Sequence, residues 1–266
     1  MIKVLQKLSQ PGGELNEDRI WHAPNILAVL DGATSLRPAA FDGNWFVEQL
    51  VRALEVSTCP ALPGRVNDAL RHVCRLFLPT ISANAPEYYP SAAGIFVQER
   101  GPNVEILSIG DCTGAFCLEN GHTLIVRDDT VKRMDQEVLA RCADLQARTG
   151  KSVAQLVQSD EIKKLLLENR RKMNQPFGYR ILSVGMEPCT EKDLLCIPAK
   201  QIRRFALWSD GFDSVQSHLL DADVSLEELY ARIRRNEAAD PDFQQTPRFK
   251  NGDDASAVIA ELSFSI

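Results

Sequence analysis

No apolar stretch in the 266 residues approaches the length of a membrane span, and no long run of basic residues occurs. A helical span needs about 20 apolar residues, so a membrane-spanning chain is not expected. A net charge of −6 with no basic run argues against nucleic acid, whose phosphates require a positive footprint. The opening MIKVLQKLSQPGG lacks an apolar core followed by a small-residue cleavage site, so no signal peptide is read and a cytoplasmic location is expected. Seven cysteines, without one C-x-x-C pair, fit neither a disulfide framework nor a zinc knuckle. The closest pair, Cys112 and Cys117, would face opposite sides of a strand, and buried reduced thiols are expected. Nucleotide loops of the G-x-G-x-x-G or G-x-x-x-x-G-K-S/T type, solenoid repeats and Pro/Gly/Ser linkers are all missing. One domain over residues 1–266 is therefore expected.

What is present is an ordinary globular composition, 44% hydrophobic and 25% charged. Apolar runs bounded by turn residues predict strands at 26–30, 92–97, 104–109, 114–118, 123–126, 204–208 and 256–262. Asn120-Gly121 joins two of these as a tight hairpin, because both residues tolerate positive φ. Helical periodicity covers 42–56 and 64–83, where Val66, Leu70, Val73, Cys74, Phe77, Leu78 and Ile81 share a stripe. Further helices are predicted over about 131–148 and 160–174, and a late one opens at Ser225 with Glu228 at capping-box spacing. Strand blocks separated by helix pairs, with hairpins among the strands, predict an α+β layered fold rather than a doubly wound parallel sheet.

Several strands meet an acid where they end. Asp31 follows ILAVL, Asp210 follows FALWS, Asp111 closes LSIGD, and Asp253 and Asp254 precede the last strand. An isolated Asp-Gly is ordinarily a turn, and Asp42-Gly43 is read as the cap of the helix behind it. Four acidic ends in one chain ask for more. If these strands lie side by side their carboxylates repel one another, and a bound divalent cation removes the conflict. Ligation by oxygen alone selects Mg²⁺ or Mn²⁺. Two such ions, about 3.5 to 4 Å apart, would acidify a shared water and make a hydrolytic site for phosphoesters. Gly32 and Gly211, lacking Cβ, would let a carbonyl or water approach the ion.

The ordered set NED at 16–18, VLDGATS at 29–35, SIGDCTGAF at 108–116, LWSDGF at 207–212 and GDDASAVI at 252–259 resembles the metal-dependent type-2C serine/threonine protein phosphatases, bacterial type. The resemblance implies a four-layer α/β/β/α sandwich of two mostly antiparallel sheets flanked by helices. It implies a helical and flap insertion at about 127–180 that shapes substrate access. It also implies two Mn²⁺ or Mg²⁺ ions, with Asp31 bridging them, the Gly32 carbonyl on one, and Asp210 and Asp253 on the other. Glu17 would act largely through water, with Asp18 beside it, and Asp111 would help hold a third ion. The implied partner is a phosphoprotein, with a cognate Ser/Thr kinase.

The chain departs from that pattern where a phosphate-clamping Arg is expected, four positions before the first acid, for Gly13 stands there. Arg19 or Arg37 is a possible substitute, and each also reads as a surface charge. His22 is a possible proton donor, and equally a structural histidine. Thr34 and Ser35 suit either water contacts or a turn, and Trp208 reads as core. Two functions follow as expectations: an active phosphatase, or a catalytically weak pseudophosphatase acting as a regulatory or binding module.

Overall fold

The computed structural model describes residues 1–34, 41–80 and 86–263. Ten strands form two five-stranded sheets in which every ladder is antiparallel. The first sheet runs β1 (Ile2–Gln10), β10 (Ala255–Leu262), β9 (Ile202–Trp208), β6 (Thr113–Leu118), β7 (Thr123–Val126). The second runs β2 (Asp18–Ala23), β3 (Ile26–Gly32), β4 (Ala92–Arg100), β5 (Asn103–Ile109), β8 (Leu195–Pro198).

The layer order follows from which faces are apolar. Along β9, Phe205 and Leu207 point into the core between the sheets, whereas Ala206 and Trp208 join a separate outer cluster. The 3-10 helix Asp210–His218 and α6 (Leu226–Ala238) cover that outer face through Phe212, Val215, Leu229 and Ile233. On the far side, α1 (Gly43–Val56) and α2 (Leu62–Phe77) cover the second sheet with Phe46, Leu50, Val66 and Val73. The result is the four-layer α/β/β/α sandwich. Central strands thus bury both faces, and β3 from Ile26 to Leu30 is fully buried, which is why its sequence is a continuous apolar run.

Between β7 and β8 lie α3 (Thr130–Thr149), α4 (Val153–Leu156) and α5 (Asp160–Arg170). They enclose a small core of their own, with Val138, Cys142, Leu156 and Ile162 packed against Phe243.

Three strands, β1, β2 and β8, escape the apolar-run criterion, and all three are sheet edges. Edge strands need bury only one face, so polar residues interrupt them. In β1 a bulge between Val4 and Gln6 also shifts the register, so Val4 faces the inter-sheet core while Leu8 faces outward. The helix predicted over 64–83 ends at Phe77 and tightens into a 3-10 turn at Leu78–Thr80, where Pro79 supplies no N–H; Ile81 lies outside the described residues. The helix predicted to 174 stops at Arg170. The hairpin at Asn120-Gly121 is as expected, Gly121 having φ +84°. All seven cysteines are free, but only Cys112, Cys142 and Cys189 are buried, Cys196 is exposed, and Cys112 precedes β6 rather than lying on it.

Candidate active site

Antiparallel pairing brings the acidic strand ends to one end of the sandwich. Asp18 pairs with Asp31 across β2 and β3, and Gly32 pairs with Ala92 at the start of β4. In the other sheet, Ala257 pairs with Trp208, so Asp210 and Asp253 leave adjacent strands on the same side. Asp31, Asp111, Asp210 and Asp253 line one cleft of about 760 Å³. Helices α3 and α5 form its opposite wall through Val131, Asp135, Leu167 and Arg170. Asp18 lies beneath, 1% exposed.

Burial and mutual repulsion push these carboxylates toward the protonated form. Asp31 is raised well above the ordinary aspartate range, first by burial and then by Asp18, Asp210, Asp111 and Asp253. Asp210 is raised well above it by burial, Asp253 and Asp111, with Lys250 opposing. Burial takes Asp18 to about 7, and Asp254 and Asp253 add to it against a Ser209 hydrogen bond. Asp111 reaches about 6, mainly through burial. Asp135, on α3, reaches about 7 through burial and then Asp111 and Asp253. A cluster of this kind is stabilised by cations.

One cation is already there. Lys250 pairs with Asp253 at 2.5 Å and donates to Thr34 Oγ1 at 3.3 Å. Burial works against its ammonium, but Asp253, Asp31 and Asp210 outweigh that and raise its pKa. Thr34 in turn donates to the Glu17 carboxylate. Glu17 is raised by burial, with Thr34 and Lys250 offsetting part of the shift.

The residues fit hard divalent ions on two observations. The donors are oxygen only, and Asp18 Oδ1 is buried with no hydrogen-bond partner among the described residues. Among the described residues, however, no three His, Cys, Asp or Glu side chains stand as a closed metal shell.

The serines and glycines of the acidic segments are structural. Ser209 donates to Asp18 Oδ2 at 2.6 Å and accepts from the Ser256 N–H at 3.0 Å, so it ties the two sheets together beneath the cleft. Asp254 accepts from the N–H groups of Gly12 at 2.7 Å and Glu17 at 2.6 Å, which fastens the NED turn to the start of β10. A Cβ on Gly32 would stand 2.7 Å from the Glu17 carbonyl oxygen, and one on Gly211 would stand 2.1 Å from that of Asp254. These glycines therefore permit close backbone packing, a reason the sequence reading did not supply.

Arg19 is not available to a substrate: it donates to the carbonyls of Asn16 and Asp18 and to Asn44 Oδ1 at 2.6 to 2.7 Å. His22 is exposed and pairs with Leu27, well along β2 from the Asp18 end, and it does not line the cleft. Arg37 and Ser35 lie outside the described residues. Trp208 is core, 1% exposed, and donates to Asp213 at 2.9 Å. The residues that sequence reasoning missed are Lys250, Arg170, Asp135 and Ser209. Arg170 donates to the Thr34 carbonyl at 2.8 Å, and its Nε is buried without a partner among the described residues. A basic residue three positions before Asp253 was the one local signal for Lys250; nothing local marks Arg170 or Asp135.

No family model matches the sequence, and no curated protein matches it. Solved structures do. The serine/threonine phosphatase Stp1 from Staphylococcus aureus aligns with a TM-score of 0.56 at 14% identity, over 99% of this chain and 96% of that one. The PPM Ser-Thr phosphatase MsPP from Mycobacterium smegmatis, in complex with cacodylate, gives 0.55 at 18%, over 98% and 99%. The catalytic domain of the phosphatase PstP, in complex with 2 manganese ions, gives 0.53 at 17%, over 96% of each chain. At these identities the likeness is one of fold: the chain has the fold of the PPM-type serine/threonine phosphatases.

Proposed function

We propose that this chain, built on the PPM-type phosphatase fold, is a bacterial-type member of that family, and that it hydrolyses phosphoserine or phosphothreonine in proteins with two Mn²⁺ or Mg²⁺ ions. One observation carries the reading. Acids from five separate segments are gathered at one end of both sheets, and burial and repulsion raise several of them above the ordinary aspartate range. Such an arrangement costs stability until a counter-charge offsets it, and shifted carboxylates of this kind concentrate at functional sites.

Asp31, the Gly32 carbonyl, Asp210 and Asp253 would hold the two ions, with Asp18 and Glu17 behind them and Asp111 facing a third position. Bound there, the ions would supply charge neutralisation and an activated water for attack on phosphorus. The chain's own residues do the rest. Ser209 fixes the Asp18 carboxylate, and Asp254 holds the turn that carries Glu17. Arg170 reaches from α5 across the cleft to the loop after Gly32, and its bonds to the Thr34 and Ala33 carbonyls and Ser91 Oγ fix that loop against the helical wall. The open cleft suits a phosphorylated side chain presented by a protein, and a cognate Ser/Thr kinase belongs to the same proposal.

The test is hydrolysis of p-nitrophenyl phosphate with Mn²⁺, with chelator, and by Asp210→Asn. Turnover that requires the metal and is lost in the variant supports the enzyme. Binding of Mn²⁺ with a raised melting temperature and no turnover supports the second reading, a regulatory or binding module. That reading is favoured by Gly13, where no side chain reaches for phosphate.

A further inference from the structure

The acid cluster is divided between two sheets, and Lys250 sits on the division. Its ammonium touches Asp253, which leads into β10 of one sheet, and Thr34, which follows β3 of the other. Divalent ions held by Asp31 on one side and by Asp210 and Asp253 on the other would lie across the same divide.

Lys250 is placed there by a built loop. Asp240 accepts from the N–H groups of Gln244 at 2.7 Å, Gln245 at 3.1 Å and Thr246 at 2.9 Å, and from Arg248 at 2.9 Å. Arg248 also stacks on Phe243, its guanidinium carbon 4.2 Å from the ring centre. Beyond Lys250, Arg234 donates to the Asp253 carbonyl. The segment that carries the lysine is therefore anchored on both sides.

The ion pair itself is half open to solvent, with side-chain exposures of 43% for Lys250 and 35% for Asp253. A pair this open to solvent is not locked in place, while its charge still acts on Asp253, Asp31 and Asp210. A single ammonium also offsets only part of the repulsion among Asp31, Asp111, Asp210 and Asp253, so a dication at the same divide has the stronger field.

We propose that Lys250 is an internal counter-cation that competes with divalent metal for Asp253: it offsets part of the cluster's repulsion in the metal-free chain and must release Asp253 before the metal is taken. The proposal rests on the reading of the cluster as a metal site and adds a control over how that site loads. It makes metal affinity weaker than the same acids would otherwise give, in return for a metal-free fold that tolerates its clustered carboxylates.

The test is Mn²⁺ titration by calorimetry on the full chain after chelation, with Lys250→Met, Lys250→Gln and Lys250→Arg, alongside melting temperatures in chelator. Lys250→Met and Lys250→Gln are expected to bind Mn²⁺ at least tenfold tighter and to melt lower without metal, while Lys250→Arg stays near the original on both. Agreement of the two neutral variants separates the loss of charge from a packing defect in either one. A change in Mn²⁺ affinity below threefold, or a weakening, overturns the proposal. Absence of Mn²⁺ binding in every form overturns the metal reading along with it. Tight Mn²⁺ binding without phosphatase turnover leaves the competition standing and removes only the enzymatic reading.

Discussion

At the scale of single residues, the neighbourhood of Gly13 makes a sharp contrast. A Cβ built on Gly12 would stand 2.4 Å from the Asp253 carbonyl carbon, while one built on Gly13 meets nothing within 4 Å. Gly12→Ala must displace the backbone of a proposed metal ligand, and a loss of about 1 to 3 kcal/mol in chemical denaturation is expected, the usual cost of overpacking. Gly13→Arg is expected to fold normally and to lower KM for p-nitrophenyl phosphate by roughly tenfold with little change in kcat, as one added charge-assisted hydrogen bond of about 1.4 kcal/mol would. Steady-state kinetics check it; an unchanged KM shows that position 13 does not face the substrate. Asp31→Asn removes the carboxylate proposed to serve both ions. A fall in Mn²⁺ affinity of about 100-fold or more is expected by calorimetry. These residues were legible because each acid sits at a sharp boundary between an apolar run and a turn. Lys250, Arg170 and Asp135 were not, because what matters about them is where a loop or helix from elsewhere delivers them.

At the scale of elements, α5 is tied down at its C-terminal end by two adjacent arginines. Arg170 reaches the Thr34 and Ala33 carbonyls and Ser91 Oγ, and Arg171 makes two bonds to Glu87 Oε1 at 3.0 and 2.9 Å. The helical wall of the cleft is thereby coupled to the loop that follows Asp31-Gly32. Arg170→Ala is expected to speed amide hydrogen exchange in Asp160–Arg170 by about tenfold, the equivalent of one charged hydrogen bond. It is also expected to raise KM more than it lowers kcat. Exchange that stays at the original rate in α5 would show that its apolar face alone holds it. Strand prediction divides along the same lines. Every central strand announced itself as an apolar run, as did the edge strand β7, whereas β1, β2 and β8 are edges whose polar residues hide them.

At the scale of the whole molecule, the titrations oppose one another. Asp18, Asp111 and Asp135 have folded-state pKa values of about 7, 6 and 7, and Asp31 and Asp210 are also raised well above the ordinary value. The folded chain therefore holds protons that the unfolded chain has released, and stability falls as pH rises from about 4 to about 7. Asp240 works the other way: burial opposes its ionisation, but hydrogen bonds from Thr246, Gln245, Gln244 and Arg248 lower it to about 2. Its contribution is present above the unfolded value and is lost as pH falls from about 4 to about 2. The metal-free chain is accordingly expected to melt highest near pH 4 to 5 and lower at pH 7.5, and saturating Mn²⁺ is expected to raise the pH 7.5 value most. Thermal melts across pH, with chelator and with Mn²⁺, check both; a metal-free melting temperature that rises between pH 5 and 7.5 contradicts the clustering of charge.

The sequence by itself determined the layers and the acidic tips, because burial on two faces demands continuous apolar strands and a strand must stop where a carboxylate meets the surface. It also fixed which helices are amphipathic and where the tight hairpin turns. Only the tertiary structure decided that the tips from both sheets share one cleft, that the serines beneath them stitch the sheets together, and that a lysine from the loop before the last strand lies among the acids. The reason is that pairing order and loop delivery depend on contacts between segments far apart in the chain, and no local pattern of residues encodes the distance between them.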